Sequence, residues 1–355
     1  VVPLCILPLV LKAFFDPRLG LYVHVLTLLI LGFMVPNSFE YLFLQIIAGI
    51  VTILTVSELY KRANLFISVG QITFVYILGY FAFFIIQEGN IQLIQWETFG
   101  YFVLCGLATL FAHPLIYLYE KVFGLVSDVS LLELSDTNSK LLKELSNKAP
   151  GTFHHSLNVA NLSEAAANEI GANAMLVRVG ALYHDIGKME DPDYFIENQH
   201  DGINPHNDLD FKESAKVIID HVIKGEEIAR KQKLPAQIID FITTHHGTGT
   251  VQYFYRSFLN SNPDQEVDIN EFTYPGPKPF SKETSVLMMA DSVEAASRTL
   301  RHYSAESISE LVEGIVGHQT SEEQFSETDL TFGEITTIKD IFKNRLSNIY
   351  HTRIE

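Results

Sequence analysis

The first third of this 355-residue chain is written almost without charge. Apolar segments run over 1–15, 19–36, 39–57, 65–87 and 98–120, and before Lys121 the only basic residues are Lys12, Arg18, Lys61 and Arg62. Segments of about 20 apolar residues are long enough to cross a bilayer as helices. A soluble core can bury one such helix. Five in succession, joined by short polar turns, predict a polytopic transmembrane helical bundle. The joints alternate in sign. Those near 12–18 and 58–64 carry the basic residues, whereas those near 36–40 and 88–98 carry Glu40, Glu88 and Glu97. Basic loops mark the cytoplasmic side, so everything after Lys121 is expected in the cytoplasm and Val1 near the outer face. His113-Pro114, inside the last segment, reads as a proline kink with a satisfied imidazole or as a polar pocket.

The net charge of −17 argues against a binder of nucleic-acid polymers, which needs a basic surface. It leaves room for a small phosphate ligand, because a bound metal reverses the local field. The two cysteines, Cys5 and Cys105, lie in apolar segments without a Cys-x-x-Cys pattern, so thiol chemistry is not expected. The chain opens at Val1 inside an apolar run and reads as the C-terminal part of a longer protein.

Three regions follow: membrane helices over 1–122, an amphipathic linker over 123–149, and a soluble domain over 150–355. In the linker, Leu131, Leu134, Leu141, Leu142 and Leu145 recur at near-helical spacing. Pro150-Gly151 then breaks the pattern. "HHSLNVANLSEAAANEI" predicts a helix closed by Gly171, and "AMLVRVGALYHDIGK" a second that stops near Gly187. Further helices are predicted over 212–232, 235–246, 283–300, 305–318 and 333–350. The stretch 247–282, with Tyr253, Phe254, Tyr255, Phe258 and "YPGPKP", reads as a stiff ordered loop. No strand alternation and no repeat is visible, so the fold class is all-α.

Five histidines and two aspartates occupy helical positions with apolar neighbours: His155, His184, Asp185, His221, His245, His246 and Asp291. Any one of them reads easily as a satisfied core histidine or an ion-pair partner of Lys224 or Arg178. Seven together do not. Imidazoles suit Fe, Mn, Zn and Ni, and carboxylates bridge hard cations. Seven donors exceed one tetrahedral zinc and suit two six-coordinate ions completed by water and substrate. Residues 184 and 185 lie about 100° apart on a helix, so both can face one groove if Asp185 spans two ions. Two ions about 3.5–4 Å apart can hold a bridging hydroxide and clamp both oxygens of an in-line phosphoryl displacement.

The order H…HD…H…HH…D resembles the HD-domain phosphohydrolases, and within them the seven-transmembrane HD family of bacterial cyclic di-AMP phosphodiesterases. The resemblance rests on "PGTFHHSLNVANLSEAAANEIGAN", "GALYHDIGKM", "FIENQ", "NPH" at 204–206, "LPAQIIDFITTHHGT", "YPGPKP", "ADSVEAASR" and the closing "YHTRIE". It is dense over 150–355, and the apolar half also fits. It implies a membrane-anchored enzyme that hydrolyses cyclic di-AMP to pApA through a metal-bridging hydroxide, with two divalent ions, iron or manganese. One ion would take His155, His184 and Asp291, the other His221, His245 and His246, with Asp185 bridging and catalytic. It further implies a bacterial cell membrane location, contact with membrane lipids, a possible homodimer, and an N-terminal extracellular sensor domain in the full-length protein.

Three further residues are candidate substrate contacts. Lys188, four residues after His184, would share its helix face and meet a phosphate as a catalytic and substrate-binding cation, or else sit as a solvated helix-end lysine. His206, fixed after Pro205, would contact substrate or order its loop. Arg298 would pair with a phosphate or with Glu294 four residues earlier. Tyr253, Phe254 and Tyr255 read as base-stacking groups or as core. Two other functions compete. One is an HD hydrolase of another substrate, such as cyclic di-GMP or a nucleoside phosphate; cyclic di-GMP is disfavoured because the segment after the HD pair, "MEDPDYFIENQ", lacks Gly-Tyr-Pro. A non-catalytic nucleotide sensor is disfavoured because no ligand position is lost.

Overall fold

A computed structural model describes residues 3–55, 62–89, 92, 94–199, 204–300 and 302–351. Lys61 and Val1, used above for orientation, and most of the closing "YHTRIE" lie outside the described residues. Among the described residues the chain is α-helical, with one isolated bridge between Thr250 and Thr273 and no strand. It divides into two compact units, Val1–Glu133 and Leu134–Glu355.

In the first unit, α1 (Ile6–Lys12), α2 (Pro17–Gly32), α3 (Ser38–Thr55), α4 (Arg62–Glu88), α5 (Glu97–Ala108) and α6 (Ala112–Phe123) pack as a bundle, with α7 (Asp128–Leu134) at its end. Its interior holds Leu44, Ala48, Ile72, Tyr76 and Phe102, the last two rings stacked at 5.4 Å. Its exterior is apolar too: Phe33, Ile86, Leu54 and Phe66 are exposed. A water-facing surface does not carry contiguous apolar area of that kind. The five expected spans differ in length. Phe66–Gln87 and Glu97–Phe123 are long and apolar enough to cross a membrane, Pro17–Gly32 and Ser38–Leu54 are shorter, and the first segment yields only the seven-residue α1. The kink reading of His113-Pro114 has a visible counterpart. Proline cannot donate to the carbonyl four residues back, and one 3-10 turn, Thr109–Phe111, separates α5 from α6.

The second unit holds α8 (Lys140–Lys148), α9 (Pro150–Glu169), α10 (Ala174–Tyr183), α11 (Phe211–Lys231), α12 (Ala236–Thr244), α13 (Gln252–Ser261), α14 (Lys282–Ser297), α15 (Ala305–Ser321) and α16 (Phe332–His351), with α8, α10, α14 and α16 packed on α9. Pro150 opens α9, where its missing N–H is no loss. Val159, Ala160, Ala166 and Ala167 are buried, and these small side chains let α10 and α14 approach closely. The helix ends as predicted at Gly171, with φ +69°, and Ala172 N–H reaching back to Ala167 O.

Three expectations are corrected. The boundary between units falls inside the stretch read as a linker, because Leu141, Leu142 and Leu145 are buried and α8 packs on α9. The stretch 247–282 contains α13, whose Phe254 and Phe258 are buried with Phe272 in a common core. Helix α10 stops at Tyr183, before the HD pair, and a separate 3-10 turn, Ile186–Met189, carries Lys188.

Candidate metal centre

The early end of α10 shapes the site. His184 caps the helix, and Asp185 leaves it at φ −106°, ψ 16°, the bridge region where sharp changes of direction are made. The two side chains are therefore not related by one helical step. The 3-10 turn that follows lies directly on α11, with Gly187 against the backbone of His221 and Gly225. This brings His221, from the middle of α11, to Asp185. His155 comes from α9, Asp291 from α14, and His245 and His246 from the turn that ends α12.

All seven expected ligands meet. Two groups form, each with candidate donor atoms within 4.8 Å of one another: His155, His184, Asp185 and Asp291, and separately His221, His245 and His246. Asp185 lies between them. Its Oδ2 is 3.2 Å from His184 Nε2 and 3.6 Å from His155 Nε2, whereas its Oδ1 is 3.3 Å from His221 Nε2 and 3.5 Å from His245 Nε2. Asp291 Oδ1 is 2.8 Å from His155 Nε2 and 3.4 Å from His184 Nε2.

Four of the five imidazoles share one orientation. His184 and His245 each donate Nδ1–H to the carbonyl three residues back, Ala181 and Ile242, at 2.7 Å, and His221 does the same to Ile218. A carbonyl only accepts, so the proton is fixed on Nδ1 and Nε2 faces the cluster. His155 uses Nδ1 on Glu294 Oε2 at 2.5 Å. His184 Nε2 and Asp185 Oδ1 are buried without a hydrogen-bond partner. Buried polar atoms in that state are costly, and imidazole nitrogens with carboxylate oxygens are donors that divalent transition metals take. The His/Asp cluster fits divalent metal binding.

The electrostatics are uneven. Burial opposes charge on Asp185, but His184 and Lys188 outweigh it and hold its carboxyl well below the usual range. Burial likewise opposes protonation of His184, yet Asp185 and Asp291 push its pKa up to about 10. At His246 burial prevails, and the imidazole stays far below its ordinary value. Its ring stacks on Tyr274 at 4.2 Å.

The other candidates are placed as follows. Lys188 is not a solvated helix-end lysine: its ammonium is 2.8 Å from Asp185 Oδ2 and 3.0 Å from Glu197 Oε1, and it lies 4.9 Å over the Phe195 ring. His206 donates through Nε2 to Tyr194 O at 3.0 Å, with its ring against Tyr194 and Phe254. Arg298 bonds Glu294 Oε1 through Nε at 3.1 Å and Nη2 at 2.8 Å, the pairing at four residues. Tyr253 is exposed, whereas Phe254 is core. Sequence reading missed Glu197, Glu294 and Tyr274 as members of the site. A signal for Glu294 existed: it follows Asp291 by three residues, so both share a face of α14.

Comparison with known proteins gives the same division. A family model described as a 7TM receptor with intracellular HD hydrolase matches residues 1–127, and one for the HD domain matches 152–296. The cyclic-di-AMP phosphodiesterase PgpH of Listeria monocytogenes is 40% identical over 317 residues, covering 87% of this chain and 43% of its own length. The Bacillus subtilis protein of that name is 38% identical, covering 90% and 45%. The chain thus spans less than half the length of these curated relatives. The crystal structure of the L. monocytogenes PgpH HD domain in complex with cyclic-di-AMP superposes with a TM-score of 0.59 at 45% identity, over 61% of this chain and all of that one. The apolar helices and the first family match make this a membrane protein. With a membrane half and an HD half each matched in order, the chain belongs to the seven-transmembrane HD-domain family.

Proposed function

We propose that this chain is a membrane-anchored phosphodiesterase that hydrolyses cyclic di-AMP to linear pApA with two divalent metal ions. The observation that carries the reading is the common orientation of the imidazoles. Three Nδ1–H groups point at backbone carbonyls and one at a carboxylate, so four Nε2 atoms converge on Asp185. The relatives named for cyclic-di-AMP cleavage, and the ligand of the solved HD domain, support the substrate. His155, His184 and Asp291 would hold one ion and His221, His245 and His246 the other, with Asp185 contributing one oxygen to each. Iron or manganese matches this mixed donor set. When bound, the ions supply Lewis acidity, lowering the pKa of water and neutralising charge on the phosphate.

The chain's own groups complete the site. Lys188, held between Asp185 and Glu197, offers a fixed ammonium toward a phosphate oxygen as charge builds there. His206 would order the loop at 204–208 through Tyr194 and so shape the substrate's surroundings. Hydrolysis breaks one P–O3′ bond, and the water oxygen stays on phosphorus. The membrane helices over 1–122 would anchor the domain over 150–355 on the cytoplasmic side, in the order the charged joints set.

The test uses the whole chain in detergent. Metal content is measured, then turnover of cyclic di-AMP, cyclic di-GMP and pApA, with Asp185→Ala as control. Metal-dependent release of pApA from cyclic di-AMP, lost in the variant, is expected. No metal-dependent hydrolysis of any of the three refutes the enzyme, and cleavage of cyclic di-GMP alone refutes the substrate.

A further inference from the structure

The Nδ1 partners of the four inward-facing histidines are not alike. Three are neutral backbone carbonyls on the histidine's own helix. The fourth is the buried carboxylate of Glu294, whose Oε2 is 2.5 Å from His155 Nδ1. The other oxygen, Oε1, is gripped from two sides. Asn158 Nδ2 donates to it at 2.9 Å, and Arg298 donates through Nε and Nη2 at 3.1 and 2.8 Å. Both ends of the His155 ring are therefore held from α14. Asp291 meets Nε2 and Glu294, three residues on, meets Nδ1. Two short patterns interlock to do this, His155-x-x-Asn158 on α9 and Asp291-x-x-Glu294-x-x-x-Arg298 on α14.

We propose that Glu294, clamped by Asn158 and Arg298, is a positioning residue that strengthens His155 as a ligand and makes the His155/His184/Asp291 position the tighter of two ion positions. A carboxylate behind an imidazole fixes its orientation and raises its donor strength, which a neutral carbonyl does less well. Anionic donors are also unequally divided. Asp291 and Glu294 stand with the first group, and the second group is three histidines, of which His221 and His245 meet Asp185 Oδ1. Arg298 acts through Glu294 and is not a substrate contact. The inference rests on the two-ion reading above.

The experiment is a Mn2+ titration of the chelator-treated full chain in detergent, with bound and free ion separated by electron paramagnetic resonance. The wild-type chain is expected to bind two equivalents in two affinity classes. Glu294→Ala should weaken the tighter class by about 10–100-fold and leave the other class unchanged. Glu294→Gln keeps an acceptor without the charge and should fall between. Arg298→Ala should weaken the same class and leave KM for cyclic di-AMP unchanged, with Arg298→Lys recovering part of the loss. Unaltered Mn2+ binding in Glu294→Ala overturns the inference, as does equal loss of both classes in Glu294→Gln and Arg298→Ala. A raised KM in Arg298→Ala with intact Mn2+ binding overturns it as well and makes Arg298 a substrate contact. A wild-type chain that takes up no Mn2+ overturns the two-ion reading and the inference together. A wild-type chain that loads two ions and loses one on Glu294→Ala, but cleaves no dinucleotide, supports the inference and refutes only the substrate.

Discussion

Replacing Gly187 by alanine should separate the two halves of the cluster. A Cβ at Gly187 would stand 1.9 Å from His221 O and 2.6 Å from Gly225 N. Both neighbours are backbone, so no rotamer change relieves the clash. To reach ordinary contact the 3-10 turn must recede from α11 by about 1.5 Å. That turn carries Asp185 at its start, and Asp185 Oδ1 lies 3.3 Å from His221 Nε2. Overpacking of a tight site costs about 1–3 kcal/mol, and with backbone on both sides the upper end applies. For a unit of this size that is a fall in Tm of roughly 6–12 °C. A displacement near 1 Å at a reacting centre costs about 100-fold in turnover. Gly225→Ala is the control. Its Cβ meets a side-chain methyl, Ile242 Cγ2, at 2.9 Å, and the backbone only at 3.4 Å. Removing a glycine from mid-helix returns about 1 kcal/mol, which offsets part of this milder overpacking, so this variant should lose clearly less than Gly187→Ala. Melting, Mn2+ affinity and turnover are measured for both. A Gly187→Ala chain that melts with wild type and binds Mn2+ as tightly refutes the packing argument.

Two other perturbations follow from the charges. Lys188→Met leaves Asp185 and Glu197 without their shared cation, and breaking a buried pair costs about 3–5 kcal/mol. The ion-free chain should lose stability on that scale in denaturant unfolding, with part restored by adding Glu197→Gln; an unchanged midpoint counts against it. At the surface, Lys282 and the Thr331 N–H hold the Glu334 carboxyl down at about 2. A depressed carboxyl contributes stability above its ordinary pKa of 4.5 and loses it as pH falls toward 2. The gap in Tm between wild type and Glu334→Gln should therefore be constant above pH 4.5 and close by about pH 2. A gap that persists there refutes the assignment.

Much of this was legible in the sequence because its causes are local or its residues are rare. Long apolar runs specify apolar helices, and the Ala-rich run before Gly171 specifies α9 and its end. Five histidines and two aspartates with apolar neighbours are hard to explain otherwise. What escaped depends on contacts far along the chain. No breaker precedes Gly187 in "ALYHDIGK", so the turn at His184 and Asp185 cannot be read locally; α11 imposes it through the close approach of Gly187 to His221. Glu197, Glu294 and Tyr274 are ordinary residues until α9, α14 and the 274–279 loop bring them to the histidines. Helix α13 was readable in principle from Phe254 and Phe258 at i, i+4, but the flanking prolines and acidic residues outweighed it.

The charge balance of the cluster yields a last test. Four carboxylates, Asp185, Asp291, Glu197 and Glu294, stand against two permanent cations, Lys188 and Arg298. A self-sufficient ion-pair network would match its charges with lysine and arginine. Here the deficit falls to imidazoles. Burial opposes charge on His184, but Asp185 and Asp291 outweigh it and raise its pKa to about 10, and His155 is raised by Asp291 and Glu294. His245 and His246, where burial prevails, stay neutral. The ion-free cluster therefore holds protons where divalent ions would sit, on nitrogens whose ring partners already fix Nδ1–H. Uptake of metal must expel them, since only the neutral imidazole coordinates. At pH 8, where an imidazole of pKa about 10 is still charged, loading the ion-free chain with Mn2+ should release about one proton or more per chain. Calorimetry in buffers of different ionisation enthalpy counts those protons. Binding without proton release would mean that His184 is neutral before the ion arrives, and that the anionic end of the cluster is balanced in some other way.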